Sequence, residues 1–184
     1  MKHNIRTLSS FLLLLTLSFL ACANEAYITN QGENTVSVIN LADHSIIATI
    51  AVGKAPVGVA ASQSLGKAYI SNVDSHSVSV IDTNTYTVVD TIDIPGSPVG
   101  IALSPDSKSL YVADWNDNRV LVINTADTSQ RREVSIGKAP AGIVISPDGS
   151  KLYVANRDSN DLAIIDTQTL KVLQRVATGA HPFG

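Results

Sequence analysis

Asp114-Trp115-Asn116-Asp117-Asn118 has the D-x-N-x-N spacing of the first half of a calcium loop, in which alternating oxygens wrap one cation. Arg119 and Val120 follow it, so the loop glycine and the distal acidic ligand are missing. The same place elsewhere reads "NQGEN", "NVDSH" and "NRDSN", so a recurring Asn/Asp hairpin turn is the simpler reading. Other chemistry is equally sparse. A metal site needs several His, Cys or carboxylate groups to converge, and beyond residue 23 the histidines are only His44, His76 and His181. No C-x-x-C-H is present, which excludes covalent haem attachment. There is no G-x-S-x-G nucleophile elbow, and no cysteine follows Cys22. No carboxylate pair is nominated by spacing, and Arg131 and Arg132, placed beside an outer strand, read as solvated rim. No catalytic residue, metal or cofactor is expected.

The elements that position these residues repeat. "AYITN" at 26–30 returns as "AYISN", "LYVAD" and "LYVAN", with Tyr27, Tyr69, Tyr111 and Tyr153 each 42 residues apart. Every unit holds four short apolar runs rich in Val, Ile, Thr and Tyr, separated by turn residues, which predicts four strands and no helix. A four-stranded repeat of this size predicts a β-propeller blade that buries both faces against its neighbours, hence near-continuous apolar runs such as "VLVIN". Pro56, Pro98, Pro140 and Pro182, each two residues before a glycine, are expected to open the innermost strands, where a missing N–H breaks no ladder bond. Asn40, Asp82, Asn124 and Asp166 share a phase at which an Asx side chain bonds turn amides. The "YITN"-like strands followed by "TVSVIN", "SVSVID", "RVLVIN" and "DLAIID" resemble the YVTN family of β-propeller repeats over essentially the whole chain beyond the leader. The resemblance implies the fold and no shared catalytic residue.

Residues 1–23, with Lys2 and Arg6 ahead of an apolar run and a small-residue exit, read as an export signal. Phe11 to Leu20 is shorter than the ~20 apolar residues a membrane span requires, so no span is expected. Cleavage after Ala23 would release a soluble chain starting at Asn24; cleavage before Cys22 would leave that thiol to carry lipid. Removing Lys2 and Arg6 from the 13 basic side chains leaves 11 against 16 acidic, a net charge near −5 that disfavours a nucleic-acid partner. A single cysteine permits no internal disulfide.

Residues 24–184 therefore predict about four blades of an all-β propeller, the first lacking its inner strand and the ring incomplete, with apolar blade faces open to self-association. His44 falls on the face opposite His76 and His181. The face built from loops between the second and third strands, with the loops entering each blade, is the candidate binding surface; it carries Trp115, Asp74, Asp117, Arg157, Lys54 and Lys138. Trp115 there is either a binding anchor or packs over its own hairpin. The function expected is an exported, non-enzymatic binding or scaffolding module, periplasmic or extracellular, for a protein, peptide or glycan. The alternative is a periplasmic propeller enzyme or redox-associated subunit, lactonase-like or cofactor-dependent, with its active residues in further blades.

Overall fold

The computed structural model describes residues 25–184. The expected export signal and Cys22 lie outside the described residues. Fifteen antiparallel strands form four sheets. Blade 1 holds β1 (Glu25–Asn30), β2 (Thr35–Asn40) and β3 (Ile46–Ala51). Blade 2 holds β4 (Pro56–Ser62), β5 (Lys67–Asn72), β6 (Ser77–Asp82) and β7 (Thr87–Asp93). Blade 3 comprises β8 (Pro98–Leu103), β9 (Ser109–Asp114), β10 (Arg119–Asn124) and β11 (Arg131–Ser135). Blade 4 comprises β12 (Pro140–Ile145), β13 (Lys151–Asn156), β14 (Asp161–Asp166) and β15 (Val172–Ala177). These are blades of a partial β-propeller, the first with three strands. No helix among the described residues is long and apolar enough to cross a membrane.

Burial explains the sequence pattern. The middle strands β5, β6, β9 and β10 are buried on both faces, whereas the outer strand β7 is exposed at all but one residue. The core is three layers, each shared by two blades. Val36, Val38 and Ile50 meet Ala68, Ile70 and Ile81; Tyr69, Val78 and Val80 meet Leu110, Val112 and Ile123; Tyr111, Val120 and Val122 meet Leu152, Val154 and Ile165. Each fully buried Val, Leu or Ile contributes about 1.5–3 kcal/mol. No blade could retain that alone.

The turn phases behave as physical devices. Asn40, Asp82, Asn124 and Asp166 each accept a turn N–H on Oδ1, at 2.8, 2.8, 2.9 and 2.7 Å. Pro56, Pro98 and Pro140 open β4, β8 and β12, each followed by a register shift, whereas Pro182 opens no strand among the described residues. At Gly58 a Cβ would lie 2.7 Å from the Val99 carbonyl oxygen of the next inner strand, so this crossing accepts no side chain. Residues 183–184 lie over Gly142 in the same way. Arg131 and Arg132 belong to β11 itself rather than flanking a strand; Arg131 clamps the backbone through the Thr128 and Asp93 carbonyl oxygens at 2.9 and 2.7 Å.

Candidate functional site

The loop face nominated by the sequence is assembled by a repeated stitch. Asn34, His76, Asn118 and Asn160 share one repeat position, all left-handed, with φ of 57, 51, 54 and 53°. Asn34 Oδ1 accepts the Ala55 N–H at 2.9 Å, Asn118 Oδ1 the Ala139 N–H at 3.0 Å, and Asn160 Oδ1 the His181 N–H at 2.9 Å. Each hairpin loop thereby fixes the segment leading into the following blade. His76 has no such oxygen, and its Nδ1 meets the Gly96 carbonyl instead. Asp114 replaces the missing acceptor, its Oδ1 taking the Ser97 N–H at 2.8 Å.

Asp114 is wholly buried, and its Oδ2 accepts Arg119 Nε at 3.0 Å. Arg119 also reaches Asp117 at 3.0 Å, Glu133 at 2.8 Å and the Pro95 carbonyl oxygen at 3.0 Å. Burial works against the guanidinium charge, but Asp114, Glu133 and Asp117 outweigh it and raise its pKa above the ordinary value. The D-x-N-x-N stretch is thus committed: Asp114 and Asp117 neutralise an arginine. Among the described residues no group of three His, Cys, Asp or Glu side chains is placed to hold a metal ion.

Trp115 reaches side chains from later segments. It is half-buried, its ring 6.3 Å from Phe183 at 53°, with the Arg157 guanidinium 5.7 Å above it. Arg157 donates to Asp158 at 2.7 Å, and His181 Nδ1 stands 3.6 Å from the same carboxylate oxygen. Of the six nominated residues, Trp115 and Arg157 come together. Lys54 and Asp74 are joined only through backbone, at 3.2 Å, as Lys138 is to Asp158, at 3.1 Å. Asp117 faces Arg119. His44 lies in the turn between β2 and β3, away from this face.

Sequence reasoning missed the structural role of the polar residue closing the second strand: Asn30, Asn72, Asp114 and Asn156. The last three are wholly buried. Their 42-residue recurrence was visible in the repeated strand, but nothing in it marks them as buried.

Residues 58–184 match the family described as the cytochrome D1 heme domain. A solved structure of Kuenenia stuttgartiensis hydrazine synthase superposes with a TM-score of 0.76 at 27% identity, covering 83% of this chain and 45% of that one. The chain thus spans less than half of that neighbour's length. No curated protein matches it.

Proposed function

The chain belongs to the cytochrome D1 heme domain family, and on that premise we propose that its blades, which we assign as YVTN-type repeats, are a non-enzymatic docking module of an exported haem-linked redox assembly. The observation that supports this reading is the Arg157–Trp115 stack, held on a face whose loops are stitched to the following blade. Tryptophan and arginine on a rigid frame are the side chains that dominate protein interfaces, because they desolvate large area at little ordering cost. Ile28 and Val144, exposed at opposite ends of the blade series, offer further self-association surface.

A haem of the family's kind needs an axial ligand from the protein. His76 Nδ1 rests on a backbone carbonyl, a support common to axial histidines. Yet no histidine borders the grooves around Tyr27, Arg132, Asp148, Ser79 or Tyr86, whose walls mix hydroxyls, amides and charged groups with aliphatic carbon. These grooves offer a haem no axial histidine. In the second reading, favoured by the family and the neighbour, the chain is a redox-associated or enzymatic subunit whose active groups lie in further blades.

The test is capture of a haem-stained partner by the exported chain. Trp115→Ala and Arg157→Ala should each weaken capture about tenfold or more with unchanged circular dichroism; wild-type capture by both would overturn the docking reading. A stoichiometric Soret band in the purified chain would favour the second. Intact mass separates a soluble chain starting at Asn24 from one lipidated on Cys22.

A further inference from the structure

Arg119 fills a polar seat in blade 3, and the repeat places the same seat one blade earlier. Forty-two residues before Arg119 and its partners Asp114, Asp117, Glu133 and Pro95 stand Ser77, Asn72, Ser75, Thr91 and Gly53. In blade 4 the places of Ser77 and Thr91 are taken by Asp161 and Arg175, paired at 3.4 Å. Blade 2 has neither long side chain nor ion pair there. It has a groove of about 480 Å³, within the ~300–1,000 Å³ of small-molecule sites, bordered by Gly53, Ser75, Ser77, Ser79, Thr91 and Asp93.

The hydrogen bonds around this groove are left incomplete in a definite sense. Ser77 and Ser79 Oγ each accept from Asn72 Nδ2, at 3.3 and 3.0 Å, and Ser75 Oγ accepts the Lys54 N–H. All three hydroxyls therefore keep their own proton to donate. Asn72 is wholly buried against Gly53 and these serines; both its donors are used, and its Oδ1 has no partner among the described residues. Asn156 Oδ1 is likewise unpartnered, but there Asn156 Nδ2 donates to Asp161 at 2.6 Å and Arg175 pairs with the same carboxylate. Three free donors beside the Asp93 carboxylate call for groups that both give and accept hydrogen bonds. Carbon-bound hydroxyls do so, and Val52 and Val88 supply an aliphatic wall for the carbon skeleton.

We propose that the groove between blades 1 and 2, the seat that Arg119 fills in blade 3, is a binding site for a neutral saccharide ring. Replacing the three carboxylates of blade 3 by Asn72, Ser75 and Thr91 removes the charge that would select a guanidinium and keeps the polar lining. The lone carboxylate Asp93 disfavours anionic sugars.

The probes are D-glucose, D-galactose, D-mannose and N-acetylglucosamine, titrated into the ¹⁵N-labelled chain, with methylguanidinium and inorganic phosphate as charged controls. At least one sugar should shift the amides of 51–53, 75–79 and 88–93 saturably. The quadruple variant N72D/S75D/S77R/T91E, which rebuilds the blade 3 arrangement, should fold, because blade 3 already holds those side chains in the same frame, and should lose at least tenfold in affinity. Ser79→Ala, a smaller change, should weaken the same sugar with an unchanged spectrum elsewhere. No saturable shift with any sugar, shifts unaffected by the filled variant, or tighter binding of methylguanidinium or phosphate would each overturn the proposal.

Discussion

Asp114 does three jobs with one carboxylate: it is wholly buried, holds the Ser97 N–H and neutralises Arg119. Truncating it strands a guanidinium with two rim carboxylates and orphans a backbone donor. Removing one partner of a buried pair costs about 3–5 kcal/mol, and because the Arg119 side chain retains 19% exposure, Asp114→Ala should fall near the lower figure. Urea denaturation with an unchanged m-value is the check; a loss below ~1 kcal/mol would show that the site relaxes freely. Asp114→Asn keeps the shape, so it separates charge from packing. The turn carboxylates act at another pH. Asp148 is lowered to about 2 by the Ser146 hydroxyl and the Ser150 backbone and side chain. A lowered carboxyl gives stability that is present above its unfolded value and is lost as pH falls towards 2. Lowered Asp43, Asp82, Asp106, Asp127 and Asp166 act in the same direction. Acid titration should therefore lower the melting temperature below about pH 4.

Strands of one blade differ sharply in what they hold. Ile81 in β6 is fully buried between blades 1 and 2, whereas Val89 in β7 is 54% exposed. Ile81→Ala should destabilise by about 2–5 kcal/mol and Val89→Ser by no more than ~0.5 kcal/mol. Similar effects in both would mean that the outer strand is covered. Gly58→Ala brings a methyl against the Val99 carbonyl and should cost about 1–3 kcal/mol. This gradient shows what was readable beforehand. The 42-residue spacing of tyrosines, prolines and Asx residues exposed strand count, turn chemistry and inner-strand starts, because each rests on local backbone demands. The partners of Trp115 were not readable, since Arg157 and Phe183 reach it from later segments across the loop face. Nor was the blade 2 groove. It exists because small residues stand where blade 3 has an arginine, a difference that acquires meaning only once the seat around Arg119 is seen.

Across the molecule, stability is spread over three interblade layers and a few cross-blade polar locks. One lock joins blades 1 and 2: the Glu25 carboxylate accepts Tyr27 Oη at 3.0 Å and Tyr86 Oη at 2.6 Å. Tyr27 is raised above its ordinary value by burial and then by Glu25, and Tyr86 by its hydrogen bond to Glu25. For a raised group the contribution is complete below the unfolded value, near 10, and disappears as pH rises through the folded one. Blade 1 should therefore loosen first in alkali, with earlier amide exchange in β1 and β2 than in β9 and β10. Tyr86→Phe should remove part of that pH dependence; an unchanged alkaline profile would place it elsewhere.

The inner strands lie side by side, with a carbonyl resting on Gly58, Gly100 and Gly142 in turn. Each such crossing bears on one neighbour only, while the polypeptide links the blades in series. A tether pulled from both termini would thus pay out in steps of one 42-residue unit, roughly 140 Å of extended chain, so a force trace would show evenly spaced teeth instead of a single rupture.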